Sequence, residues 1–277
     1  MKNLLIIGGG NMGLAIALGI TKKGVKKNNI LLIEKNIKRR NYLKKLKFTV
    51  SDNACTQLKK YSKRLTAIII AVKPQDIKET LLPLNKFIPK NTIVISIAAG
   101  VTLKSISNLL PTKQPIARVM PNTPCQVGYG MSAMAFNKYT TKKHKEITNK
   151  TFSSIGSTTE LSEKFFDAAG AVNGSGPAYF CYLIESLIQG GIKLGLSKAT
   201  ASKLALQTSI GTNLLLQKRN MHPEELRKAV TSPKGITEAA LKIYKKRGFT
   251  DIVYNGVLAA KKRSIELGKT EVSGKET

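Results

Sequence analysis

Near its start the chain carries an apolar run, Leu4-Leu5-Ile6-Ile7. It passes directly into Gly8-Gly9-Gly10-Asn11-Met12-Gly13 and then into the helically patterned Leu14-Ala15-Ile16-Ala17-Leu18. A buried strand, a G-x-G-x-x-G turn and a helix in that order form the first βα unit of a dinucleotide-binding sheet. Gly8 permits the tight turn, Gly10 lets the backbone approach a pyrophosphate, and Gly13 allows the helix to pack closely on the strand. The free amides of the first helical turn and the positive end of the helix dipole then hold the anion.

Such a unit calls for a second strand ending in an acidic residue. Ile30-Leu31-Leu32-Ile33-Glu34 supplies it, with Glu34 placed 26 residues after Gly8, where about 20 is usual. A carboxylate there bonds the ribose hydroxyls and favours NAD. Lys35, Asn36, Lys38, Arg39 and Arg40 follow at once, and a guanidinium at that point can pair with the 2′-phosphate of NADP. The sequence leaves NAD and NADP both open.

With 277 residues the chain is long enough for two domains of ordinary size. Short β-rich runs at Leu65 to Val72, Thr92 to Ala98, Ile116 to Met120 and Met131 to Phe136 alternate with helical segments, the rhythm of a doubly wound parallel sheet. The strands are expected to stop near residue 160, and long helices follow. One of these carries Phe180, Ile184, Leu187 and Ile188 on a single face. Ser175 is suited to cap it and Pro177 to occupy its first turn. The expectation is therefore an α/β dinucleotide-binding Rossmann domain over 1–160 and an all-α domain over 161–277, with a frayed polar tail from Glu271.

The net charge of +30 arises from 46 Lys and Arg against 16 Asp and Glu. The lysines are scattered in pairs along the whole chain, which describes a solvated surface attractive to anionic ligands. No base-reading motif accompanies them, so no specific nucleic-acid partner is expected. Cys55, Cys125 and Cys181 are widely spaced, without C-x-x-C. They read as reduced thiols, with no disulfide and no metal site. The N-terminal apolar run is too short for a signal peptide, and no run of about 20 apolar residues exists to cross a membrane. A soluble cytoplasmic protein is expected. His144 and His222 receive no role.

The strand ending at Ile70 continues into Ala71-Val72-Lys73-Pro74, and ligands of open α/β sheets lie at the carboxyl ends of the strands. Lys73 is thus a candidate for the cofactor or for an acidic substrate. Further on come Ser96-Ile97-Ala98-Ala99-Gly100-Val101, Arg118-Val119-Met120-Pro121-Asn122-Thr123-Pro124, Gly174-Ser175-Gly176-Pro177-Ala178-Tyr179 and Thr231-Ser232-Pro233-Lys234-Gly235-Ile236-Thr237. With the glycine turn and Ala71-Val72-Lys73-Pro74, this ordered series closely resembles the pyrroline-5-carboxylate reductases, the last enzymes of proline synthesis.

The resemblance implies that NAD(P)H passes a hydride to C5 of 1-pyrroline-5-carboxylate, giving proline, and that the helical domain forms a homodimer or a larger dimer-based oligomer. It implies cofactor contacts from Gly8, Gly10, Asn11, Met12 and Gly13, from Glu34 and Asn53, from Ala71, Val72, Lys73 and Pro74, from Ala98, and from Asn122. It implies substrate contacts from Ser175, Ser232, Gly235 and Thr237, with Thr237 beside the imine nitrogen as the residue of the catalytic centre.

The chemistry fits such a turn. A small ring bearing a carboxylate and an imine must be oriented and shielded from water, and the turn before Thr237 offers backbone amides and hydroxyls to the carboxylate. No histidine or carboxylate is placed as a proton donor, so a protonated imine would bring its own proton.

The sequence departs from the family around this turn. Lys234 and Ile236 stand where glycine and threonine are usual, Lys228 where aspartate is, Asn220 where glutamate is and Asn173 where serine is. Lys234 either draws the carboxylate or strains a turn that needs positive φ. The altered turn keeps a reductase of another cyclic imine or small acid in view, and the basic surface a weakly catalytic dinucleotide-binding or assembly protein that binds acidic partners.

Overall fold

The computed structural model describes residues 4–61 and 64–273; the end of the polar tail, 274–277, lies outside the described residues. Eight strands, β1 (Leu4–Ile7), β2 (Ile30–Ile33), β3 (Thr49–Ser51), β4 (Ala67–Ile70), β5 (Ile93–Ser96), β6 (Ile116–Pro121), β7 (Gly130–Phe136) and β8 (Gly156–Glu160), form one sheet in the order β3-β2-β1-β4-β5-β6-β7-β8. Among the described residues seven α-helices accompany them: α1 (Asn11–Lys22), α2 (Ile37–Lys45), α3 (Ala54–Tyr61), α4 (Ile77–Leu81), α5 (Leu103–Ser107), α6 (Lys142–Phe152) and α7 (Phe166–Ala169).

The central strands are apolar at every position because both faces of the sheet are covered. Successive side chains point to opposite faces. Leu5, Ile7, Leu31, Ile33, Ile68 and Ile70 therefore join one core, while Leu4, Ile6, Ile30, Leu32, Ala67 and Ile69 join the other.

Strands β1 to β6 run parallel, and β6 pairs antiparallel with β7. This modifies the expected all-parallel sheet. Only residues 122–129 join β6 to β7, and a parallel return needs a crossover of about a dozen residues or more. Strand β8, Gly-Ser-Thr-Thr-Glu, then pairs parallel with β7 at the sheet edge.

The chain divides into two compact units, Met1–Ser175 with Ala260–Thr277, and Gly176–Ala259. This division falls after Ser175, later than the boundary expected at 160. The intervening segment packs on the sheet: Phe166 is fully buried in one of its cores, and Ser264 Oγ donates to Asp167 Oδ1 at 2.7 Å.

Ser175 does not take the expected cap conformation. Its backbone is right-handed (φ −86°, ψ −20°) because the chain reaches it already coiled, through a π-turn at Gly170–Gly174. Its amide donates to the Gly170 carbonyl at 3.1 Å.

The second unit is helical: α8 (Gly176–Lys193), α9 (Lys198–Arg219), α10 (Pro223–Ala229), α11 (Ile236–Lys246) and the first part of α12 (Phe249–Ser273). Helices α8 and α9 meet where Gly191 faces Ala201. Elsewhere large apolar side chains, among them Phe180, Leu187, Leu204, Ile210, Ile252 and Tyr254, are exposed on the single chain.

Candidate active site

Residues Gly8, Ala71, Ile97 and Asn122 each follow the last residue of a parallel strand, β1, β4, β5 and β6, so they share one rim of the sheet. The glycine turn shows three separate physical roles. Gly8 has φ +106° and lies so close to β4 that a Cβ would overlap the Ala71 carbonyl. A Cβ on Gly13 would overlap the Gly8 carbonyl, which seats α1 against β1. At Gly10 an added Cβ would meet nothing within 4 Å among the described residues. Gly10 is also the N-cap of α1 and offers no side-chain cap, which leaves the donors of the first helical turn available to an anion.

Glu34 lies at the end of β2 but is engaged by the backbone. Its Oε2 accepts from the Gly9 amide at 3.0 Å and its Oε1 from the Asn36 amide at 2.8 Å. Around it the cations are arranged unequally. Lys35 pairs with Glu79 at 2.8 Å and Arg40 with Asp52 at 3.3 Å. Arg39 donates from Nε to the Gly9 carbonyl at 2.7 Å and lies 5.2 Å from the Tyr42 ring centroid. Its Nη2 is buried without a hydrogen-bond partner among the described residues.

Asn53 caps α3, its Oδ1 accepting from the Thr56 amide at 2.9 Å. Lys73 is exposed at the start of the Pro74–Asp76 turn. Ala98 is buried, its amide donating to Ser96 Oγ at 3.3 Å. Asn122 bridges two elements: Oδ1 accepts from the Met131 amide at 2.8 Å and Nδ2 donates to the Asn173 carbonyl at 3.3 Å.

In the second unit, Ser232, Gly235 and Thr237 share one turn. Gly235 is the N-cap of α11, its amide donating to the Ser232 carbonyl at 3.0 Å. Thr237 is half-buried in the first turn of that helix, and Ser232 is exposed. Lys234 adopts φ +60°, a left-handed conformation that favours glycine. Its amide donates to Glu238 Oε2 at 3.0 Å. That carboxyl is held below its ordinary value of 4.5, first by the hydrogen bond from Lys242 and next by this amide.

Two other departures also have local explanations, while nothing in the structure explains Ile236, which is exposed. Asn220 is the left-handed C-cap of α9 (φ 46°, ψ 41°), a conformation that Asn tolerates. Lys228 forms an i,i+4 ion pair with Glu224 at 3.0 Å.

The strand ends and the cations after Glu34 place most of the rim in the sequence, and Gly9 is the member that the sequence reading missed. Gly9 and Arg39 are tied to each other and to Glu34 by hydrogen bonds across 25 and 30 positions, and the run of cations after Glu34 was the signal that pointed to Arg39. Among the described residues no group of His, Cys, Asp and Glu could hold a metal ion.

Residues 163–267 match the family model described as pyrroline-5-carboxylate reductase dimerisation, and residues 3–100 match NADP oxidoreductase coenzyme F420-dependent. Pyrroline-5-carboxylate reductase of Synechocystis is 39% identical over 95% of this chain and 97% of its own length. The chain belongs to the pyrroline-5-carboxylate reductase family. The Arabidopsis thaliana reductase is 35% identical over 95% of each chain. Among solved structures, the pyrroline-5-carboxylate reductase of Coxiella burnetii superposes with a TM-score of 0.90 at 30% identity, covering 96% of this chain and 98% of that one. The Plasmodium falciparum pyrroline carboxylate reductase with NADP bound gives 0.82 at 31% identity, covering the same shares. The reductase fold therefore extends over nearly the whole of this sequence, altered turn included.

Proposed function

We propose that this chain reduces 1-pyrroline-5-carboxylate to proline, with NADPH as the preferred donor. The observation that carries the reading is the rim of strand ends in a chain whose family is that of these reductases. Two features fit a phosphorylated dinucleotide there: the open space over Gly10 beside the uncapped amides of α1, and the buried, unpartnered Arg39 Nη2.

When bound, the reduced nicotinamide supplies the hydride that C5 of the protonated imine accepts, leaving a secondary amine. The α1 amides hold the pyrophosphate, and Arg39 pairs with the 2′-phosphate. Glu34 and Asn53 shape the adenosine end, while Ala71 to Pro74, Ala98 and Asn122 form the wall along the dinucleotide. In the 231–237 turn the Ser232 hydroxyl, exposed to solvent, receives the substrate carboxylate. The Thr237 hydroxyl accepts from the imine N–H and so aligns C5. Because the imine carries its own proton, orientation accounts for most of the acceleration.

Exposed apolar side chains on α8, α9 and α12 exceed what a lone chain keeps in water, and a second copy covers them. No helix among the described residues is long and apolar enough to cross a membrane. Three free thiols suit a reducing cytoplasm.

Thr237→Ala tests the site. A hydrogen bond to a charged group is worth about 1.5–3 kcal/mol, so kcat/KM falls about 10- to 100-fold. Unchanged kcat/KM would remove Thr237 from the site.

A further inference from the structure

We propose that Asn173 is a positioning residue that fixes the Asn122–Pro124 segment at the end of β6, acting through Asn122. The proposal rests on the reading that this rim carries the dinucleotide.

The π-turn Gly170–Gly174 brings the Asn173 amide to the paired ends of two strands. Its Nδ2 donates both protons, to the Met120 carbonyl of β6 at 3.0 Å and to the Met131 carbonyl of β7 at 3.1 Å. The Asn173 backbone carbonyl accepts from Asn122 Nδ2 at 3.3 Å, and Asn122 Oδ1 accepts from the Met131 amide at 2.8 Å. The hydrogen bonds close a ring through Asn122, Met131 and Asn173. The turn is seated by close packing as well, since a Cβ on Gly170 would come within 3.1 Å of the Met120 sulfur and methyl group.

The two carbonyl partners fix which end of the Asn173 amide is nitrogen. Its Oδ1 is left buried with no partner among the described residues, an arrangement that costs stability. A π-turn carrying an unsatisfied buried acceptor is the kind of local cost retained where geometry serves a site. What this arrangement secures is the conformation of Asn122 and of the Thr123-Pro124 step that follows it. Asparagine alone among small side chains offers two donors on one atom; serine offers one proton and aspartate none.

Titration calorimetry on Asn173→Asp and Asn173→Ser tests this with two ligands, NADP⁺ and 2′-phospho-ADP-ribose, which lacks the nicotinamide ring. The expected result is a Kd for NADP⁺ raised about 10-fold in Asn173→Asp and less in Asn173→Ser, with the fragment's Kd within about twofold of wild type. kcat falls in the same order. Equal weakening of both ligands, or no change in either, overturns the positioning role. If aspartate prevents folding, Asn173→Ser carries the test on the same ratio of the two affinities. Wild-type protein that binds neither ligand overturns the dinucleotide reading itself, and this proposal with it.

Discussion

Arg39 donates from Nε to the Gly9 carbonyl at 2.7 Å, so the guanidinium that follows β2 is anchored to the glycine turn that follows β1. One of its terminal nitrogens, Nη2, is buried and unpartnered among the described residues. Glu34, whose two oxygens already accept the Gly9 and Asn36 amides, is less available to repel a phosphate. Replacing Arg39 by Ala therefore raises KM for NADPH about 10- to 100-fold, the worth of one charge-assisted contact, and leaves KM for NADH within about threefold. Steady-state kinetics with both donors checks this; equal losses with the two would show that Arg39 serves only the loop.

The glycine turn separates folding from binding. A Cβ on Gly13 overlaps the Gly8 carbonyl, so Gly13→Ala costs about 2–3 kcal/mol of stability by overpacking. At Gly10, with φ −63° and open space around the position, Ala is tolerated by the fold. There the methyl group meets the pyrophosphate, and NADPH binding weakens at least about 10-fold with the urea midpoint unchanged. Denaturation and titration of the two variants side by side decide it.

Arg118 is buried to 4% exposure. It lies 4.6 Å from the Phe166 ring centroid and donates to Glu163 Oε1 at 3.0 Å. The same oxygen accepts the Leu103 amide at 2.7 Å, at the start of α5. Glu163→Ala strands both donors. The full cost of breaking a buried pair is about 3–5 kcal/mol; the Glu163 side chain retains 30% exposure, which reduces the expected loss to about 2–3 kcal/mol. Urea unfolding measures it, and a loss below 1 kcal/mol would contradict the account.

In the 231–237 turn the left-handed Lys234 carries a strain that glycine does not, so Lys234→Gly stabilises the protein by about 0.5–1 kcal/mol. The Glu238 carboxylate that receives the Lys234 amide has a lowered pKa. A lowered folded-state value gives a contribution that is complete above the ordinary carboxylate range and lost as pH falls through the folded value. Exchange protection of the Lys234 amide is thus constant through neutral pH and declines only in acid, below about 4.5. A titration midpoint near neutrality would rule out Glu238 as its partner.

The legible parts of this molecule were those where one stretch of sequence does one physical job. Leu4–Ile7 and Ala67–Ile70 are apolar throughout because both faces are covered, and the Gly8 to Gly13 spacing encodes its own turn. Strand β8 was illegible because Gly-Ser-Thr-Thr-Glu sits at an edge where little is buried. The reversal at β7 follows from the brevity of 122–129, which only the paired strands reveal. Ser175 looked like a cap because the π-turn before it has no sequence signature. The Asn173 clamp depends on partners 42 and 53 positions away, beyond any local pattern. Lys234 was the exception: a residue in a glycine's place already pointed to the positive φ that the structure contains.

Incubation with 1-pyrroline-5-carboxylate and NADPH deuterated at the transferring position, followed by mass spectrometry of the product, decides whether this chain reduces the imine. The expected product is proline carrying one deuterium at C5, formed mole for mole with NADP⁺. Bound NADPH that is not consumed, or proline that carries no deuterium at C5, would contradict it.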